Sequence, residues 1–244
     1  MVMEKEKWKT KASMRHTTLC LVGFGVLAVV FVIIAMMVGS DNQRVIDFDH
    51  KWIGRIQGQE APGWTMVAET LSWIGSTKVV IALILILLLF LLYIPRLRWE
   101  PLLVLCATGG SALINILLKN LFQRERPDIN RLAQEYSYSF PSGHSMGAFA
   151  LYGILAYLLW RMIRPMSIRI ISLILCILLT LTIGLSRIYL GVHYPSDVIG
   201  GYVASGAWLA LTIGVFEYWR HRKQSRLGGR TEAERQESLR GDGI

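Results

Sequence analysis

The stretch PSGHSMGAFALYGILAYLLWRMIRPMSIRIISLILCILLTLTIGLSRIYLGVHYPSD, Pro141 to Asp197, decides the fold. It holds two apolar runs, Ser145–Met162 and Ile168–Leu185, parted only by a turn around Arg164-Pro165. A helix rises 1.5 Å per residue, so each run is long enough to cross the ~30 Å hydrocarbon layer of a bilayer. Two such helices joined by a tight turn return the chain to the side it left. The ends brought together carry Pro141-Ser142-Gly143-His144 on one run and Ser186-Arg187, His193 and Asp197 on the other.

Working outward, the same pattern repeats. Thr17–Gly39, Lys78–Ile94, Pro101–Leu118 and Val198–Tyr218 are further apolar runs of spanning length, six in all. Thr17–Gly39 follows a basic N-terminus as a signal peptide would, but it exceeds the ~7–15 residues of a signal core and reads as an uncleaved first span. Between the first two spans, Val45, Phe48, Trp52 and Ile56 recur at three- and four-residue spacing, as do Trp64, Val67, Leu71 and Ile74 after Pro62-Gly63. These predict two short amphipathic helices at the interface, with Trp at headgroup depth. A packed cap over the bundle and a part in substrate access are both open for them. The expected fold is thus an all-α integral membrane protein. It is a six-transmembrane-helix bundle with short interfacial helices between spans 1 and 2. Residues 1–16 form a basic tail, 17–220 the membrane domain, and 221–244 a tail expected to be disordered past Leu227.

Composition agrees. Of 244 residues 53% are hydrophobic, and the mean hydropathy is +0.42. The net charge of +9 does not indicate nucleic acid, because the cations sit in short loops and tails rather than along one face. They suit a membrane with anionic lipid instead. Seventeen of the 26 Lys and Arg fall on the side of the two termini, leaving nine for the other. The positive-inside rule then places both termini in the cytoplasm and the polar motifs on the extracytoplasmic face of the cell membrane. Cys20, Cys106 and Cys176 all lie in apolar runs and read as small buried hydrophobes.

A third polar piece, Lys119 and Arg126-Pro127, lies on the same side. Lys119, Arg126 and Arg187 are fixed cations of the kind a phosphate requires: Arg matches phosphate oxygens with a planar fork, and Lys acts as a point charge. Each alone would read as an interfacial anchor. Ser142 and Gly143 open a helix, where free N–H groups and the helix dipole bind anions. His144 stands at that mouth, placed to protonate a leaving alkoxide. His193 and Asp197 are four residues apart, so the carboxylate can fix the imidazole tautomer and leave the other nitrogen free to attack phosphorus. Zinc on these histidines and Asp197 is disfavoured by the three neighbouring cations.

Lys119 with six residues to Arg126-Pro127, then Pro141-Ser142-Gly143-His144, then Ser186-Arg187 with five residues to His193 and three to Asp197, resembles the three-part signature of the type-2 phosphatidic acid phosphatase superfamily. The match holds in order and spacing. The resemblance implies a membrane lipid phosphatase with His193 as nucleophile, Asp197 as its orienting partner, and His144 as acid and then base. It also implies a phosphate held by Lys119, Arg126, Ser142, Gly143 and Arg187, and no metal or other cofactor. The bacterial members it is most similar to act on phosphatidylglycerol phosphate and undecaprenyl pyrophosphate, and phosphatidic acid stays open as a substrate. Two alternatives remain: a lipid phosphotransferase of the same family, and a small transporter or packing subunit. Ionisable groups inside the spans would mark a transport path; the spans hold almost none, Asn115 being the main polar side chain. The small residues Gly200, Gly201, Ala204 and Ser205 form a close-packing face, within one bundle or between two.

Overall fold

The computed structural model describes the backbone of residues 2–241 and the side chains of 15–95 and 97–223. The expected tails therefore lie mostly outside the residues whose side chains are described. The chain is helical, in the order α1 Val2–Gly39, α2 Gln43–Gln57, α3 Pro62–Ile74, α4 Thr77–Tyr93, a 3-10 turn Pro95–Leu97, α5 Glu100–Phe122, α6 Gly143–Met162, α7 Met166–Tyr189 and α8 Pro195–Gly241. Five helices are long and apolar enough to span alone: α1, α5, α6, α7 and α8. A sixth candidate is the pair α3 and α4, which meets the same test together across a 49° bend. The all-helical membrane bundle read from the sequence is what the chain forms.

The bundle is apolar outside as well as inside. Leu89, Leu121, Ile86, Ile171 and Leu175 are exposed on its flanks, as expected where the solvent is lipid. Helix association then depends on close packing and hydrogen bonds rather than on hydrophobic burial. α1 lies along α8, and α6 packs against α5, α7 and α8. Leu103, Val104, Ile154, Leu158 and Leu209 form one core layer. Phe140 plugs the site end against Ala35 and Val38 of α1, with its ring edge-on to Phe122 at 5.1 Å. The small-residue face of α8 packs inside this one bundle. Ser205 donates to the Met146 carbonyl of α6 at 3.0 Å and shares a 3.1 Å hydrogen bond with Ser111 of α5.

Two expectations need correction. Ser186 and Arg187 do not lie beyond the helix of the Ile168–Leu185 run. α7 runs on to Tyr189 and α8 begins at Pro195, because the segment stays apolar enough to continue the helix and Pro195 is a favoured first helical residue. Cys106 is exposed, whereas Cys20 is half-buried and Cys176 buried. An apolar run on a span has one face toward lipid, so apolar context does not imply burial there.

α2 and α3 form as the spacing predicts. Their aromatic residues Phe48, Trp52 and Trp64 point outward, while Asp49, Ile53, Ala68 and Ser72 are buried. The helices pack on α7 and α8 and close the site end of the bundle.

At Gly201, α8 meets the start of α6 closely: a Cβ there would lie 3.0 Å from the Ser142 carbonyl oxygen and 3.1 Å from Ser145 Cβ. Overpacking of this kind costs about 1–3 kcal/mol. Gly201→Val is expected to lower the thermal midpoint of the detergent-purified protein, because it pushes α8 off the first turn of α6. An unchanged midpoint would show that the contact yields.

Candidate functional site

Chain direction assembles the site. α5, α6, α7 and α8 follow one another antiparallel, so the C-terminal ends of α5 and α7 meet the N-terminal ends of α6 and α8. Lys119 leaves the end of α5, Gly143 and His144 open α6, Arg187 closes α7, and Asp197 stands in the first turn of α8. The loop 123–142 lies across these ends and supplies Arg126.

His193, almost fully buried, sits in the short α7–α8 connection. Its Nε2 is 3.3 Å from Arg126 Nη1. A guanidinium can only donate, so Nε2 carries the lone pair and Nδ1 the proton. Nδ1 lies 3.4 Å from Asp197 Oδ2 and 3.3 Å from Ser139 Oγ. Oδ2 also accepts from Ser139 Oγ at 2.5 Å and from the Tyr194 N–H at 2.9 Å, as a third-position acid does at a helix start. Burial, joined by Arg126 and Arg187 and opposed by Asp197, lowers the His193 pKa from 6.5 to about 4. The ring is therefore neutral at physiological pH with its lone pair on the nitrogen facing the cations, which is the nucleophilic form.

The predicted cations converge. Arg126 donates through Nη1 to the Val192 carbonyl at 2.7 Å and through Nε to the Ser137 carbonyl at 2.6 Å. Lys119 donates to Ser137 Oγ at 3.0 Å and to the Tyr138 carbonyl. Arg187 donates to Ser72 Oγ of α3 and to Glu135 Oε1 at 2.5 Å. Its buried Nε has no hydrogen-bond partner among the described residues. His144 feels the charges of Arg187, Arg126 and Lys119 and the ring of His193, so it too belongs to the cluster. Ser142 caps α6, its Oγ accepting from the Ser145 N–H at 3.4 Å. Its own N–H donates to the Asp197 carbonyl at 3.0 Å, tying the starts of α6 and α8 together.

All eight residues singled out from the sequence thus lie at one end of the bundle. The structure adds others that the sequence reading missed. Glu135 bridges two of the cations, with Oε1 on Arg187 at 2.5 Å and Oε2 3.9 Å from Arg126. Arg124 binds Asp197 Oδ1 at 2.6 Å and Asp49 Oδ2 at 2.9 Å. Ser139 touches both His193 and Asp197, and Ser72 reaches Arg187 from α3. Arg124 had a readable signal, lying two residues from Arg126 in the same loop.

With this geometry established, comparison with known proteins is direct. The sequence pattern of the PAP2 superfamily matches residues 99–221. Phosphatidylglycerophosphatase B of Bacillus subtilis is 36% identical over 146 residues, covering 58% of this chain and 70% of that one. A decaprenylphosphoryl-5-phosphoribose phosphatase of Mycobacterium tuberculosis is 33% identical over 171 residues, covering 68% and 88%. The crystal structure of a transmembrane PAP2-type phosphatidylglycerolphosphate phosphatase from Bacillus subtilis superposes with a TM-score of 0.74 at 29% identity, covering 80% of this chain and 96% of the other. The chain belongs to the PAP2 superfamily. It is a multi-pass membrane enzyme of the lipid phosphatase class.

Two measurements probe the site. Diethyl pyrocarbonate attacks neutral imidazole, so the rate at which it inactivates the enzyme is expected to fall off with a midpoint well below 6.5, towards 4; a midpoint at 6.5 would mean that His193 is not held dry. Glu135→Gln removes the carboxylate shared by Arg126 and Arg187. Inhibition by inorganic vanadate is expected to tighten by up to about tenfold, since losing that competing anion is equivalent to roughly 1.4 kcal/mol or less. Weaker inhibition would show instead that Glu135 holds the arginines in place.

Proposed function

We propose that this protein hydrolyses a lipid phosphate or pyrophosphate through a phosphohistidine on His193, at the extracytoplasmic face of the cell membrane and without a metal. The observation that carries the reading is the lone pair of His193 Nε2 beside Arg126, next to a guanidinium whose buried Nε has no partner among the described residues. A buried donor left unpaired is costly, and a phosphate oxygen would satisfy it.

The substrate phosphate lies among Lys119, Arg126 and Arg187, displacing the Glu135 carboxylate, with oxygens on the N–H groups that open α6 at Gly143 and His144. Nε2 attacks phosphorus in line. The P–N bond forms, the P–O bond to the lipid breaks, and the lipid alkoxide takes a proton from His144, which picks that proton up from solvent as the doubly negative phosphate offsets the cations around it. Asp197 accepts the Nδ1 proton's hydrogen bond and stabilises the positive ring that results. His144, now neutral, takes a proton from water, whose oxygen attacks phosphorus. The P–N bond breaks, and inorganic phosphate leaves. Throughout, charge spreads over oxygens that three fixed cations already face, so little reorganisation is needed.

The substrate class comes from the relatives. Phosphatidylglycerol phosphate is favoured by the names of the Bacillus subtilis protein and structure. Undecaprenyl pyrophosphate, which a putative undecaprenyl-diphosphatase of Escherichia coli brings in, and phosphatidic acid complete the set. The face is argued from the Lys and Arg asymmetry between the two ends of the spans.

The test is phosphate release by detergent-purified protein from each of the three lipids, with and without EDTA, together with acid-quench labelling from a labelled lipid phosphate. Release insensitive to EDTA, with acid-labile label on the protein that His193→Ala abolishes, is expected. The His193→Ala variant should lose at least about a thousandfold in turnover, the scale seen when a nucleophile is deleted. Label passing to a second lipid with no free phosphate would identify a phosphotransferase, and loss of activity with EDTA would contradict the metal-free chemistry.

A further inference from the structure

We propose that Asp49 and Arg124 are positioning residues for this reaction: α2, far from the motifs in sequence, sets the orientation of Asp197 and through it that of His193. The inference rests on His193 as the nucleophile.

Asp197 has two oxygens and a division of labour between them. Oδ2 takes the His193 side, with Ser139 and the Tyr194 N–H. Oδ1 takes Arg124 Nη1 at 2.6 Å. Rotation of the carboxylate would mix the two roles, so whatever fixes Arg124 fixes which oxygen faces the imidazole. Arg124 is fixed from three directions. Its second arm, Nη2, donates to Asp49 Oδ2 at 2.9 Å. Its Nη1 also donates to Ser196 Oγ at 2.8 Å. Its guanidinium lies over the Tyr194 ring at 4.1 Å. A guanidinium is a rigid planar fork, so pinning one arm aims the other.

Asp49 does more than pin the fork. Its Oδ1 accepts the Ser196 N–H at 2.9 Å, and its Oδ2 accepts Ser196 Oγ at 2.6 Å. The Ser196 N–H is one of the donors that a helix start leaves unpaired. Asp49 therefore caps α8 from another helix, on the residue next to Asp197. One fully buried carboxylate thus holds both the backbone beneath Asp197 and the cation in front of it. Burial raises the pKa of Asp49, against Ser196 and Arg124, while Asp197 and Asp49 together raise that of Arg124 despite its burial. No hydrogen bond or ion pair links Asp49 to His193, His144, Lys119, Arg126 or Arg187, so it acts through others and touches no reacting atom.

A structural ion pair alone would make a different prediction, and a kinetic cycle separates the two. In the full-length detergent-purified protein, Asp49→Asn keeps the shape of the side chain and removes its charge. Expected are a kcat lower by about 10–100-fold, the scale of an outer partner that orients a functional ligand, KM and the vanadate inhibition constant within about twofold, and a thermal midpoint near that of the parent. In an Asp197→Asn background the same substitution is expected to change kcat by less than about twofold, because the group it acts through is gone. Arg124→Gln, which breaks the relay from its other end, is expected to show the same kcat-only loss and the same silence in that background, and it serves should Asp49→Asn fail to fold. Full kcat in a folded Asp49→Asn protein, a loss carried by KM, or an undiminished loss on top of Asp197→Asn would each overturn the proposal. His193→Ala is measured alongside. Activity retained there would remove the phosphohistidine reading itself, whereas an inactive His193→Ala beside a fully active Asp49→Asn removes only the role of α2.

Discussion

The structure depends on an imbalance of buried charge at one end of an apolar bundle. Four cations, Lys119, Arg124, Arg126 and Arg187, stand near three carboxylates, Asp49, Glu135 and Asp197, and the pairing between them is uneven. Arg124 takes two carboxylates to itself. Lys119, Arg126 and Arg187 are left with Glu135 alone, and carbonyl and hydroxyl oxygens fill much of their remaining coordination. The face toward His193 therefore holds about two positive charges in excess. A phosphate ester near neutral pH brings about two negative ones. Holding Asp49 and Asp197 on Arg124 is what would let one site keep an ionised aspartate for its histidine and, on the reading proposed above, still attract an anion.

The same separation explains the state of the histidine. A nucleophilic imidazole must be neutral before the reaction and positive during it. Burial and two arginines keep His193 neutral beforehand. Asp197, held ready behind it, becomes most favourable only as the ring gains charge. On the phosphohistidine route proposed above, the stabilisation appears in the transition state rather than in the resting enzyme, where it would contribute to rate.

How much of this the sequence discloses depends on distance along the chain. The six spans were legible because apolar runs of fixed length have few other uses. The eight motif residues were legible because helix ends repeat: each motif sits where a span begins or stops, and four consecutive antiparallel spans must bring such ends together. Asp49, Ser72, Glu135 and Ser139 were not legible, because their roles are set by helices meeting in space. On α2 the aromatic residues Phe48 and Trp52 dominated the periodicity, yet they face outward and the buried face carries Asp49. Val45, Ile53 and Ile56 pack inward beside Asp49, so the spacing located the helix and its aliphatic buried side, and what it did not disclose was the carboxylate set among those residues.

It also bears on where the catalytic unit ends. The superfamily pattern covers residues 99–221 and contains the histidines, the motif cations and Asp197. It does not contain Asp49 or Ser72. Without α2 and α3, Arg124 loses one of its two carboxylates, Arg187 loses its hydroxyl acceptor, and Ser196 at the start of α8 loses its cap. Arg124 would keep Asp197, but the buried donors on Ser196 and Arg187 would be left without their partners, at about 1–3 kcal/mol each. The two short helices between the first spans are therefore part of the active end in the same sense as the motif loops, and the region that carries the signature is not by itself a complete site.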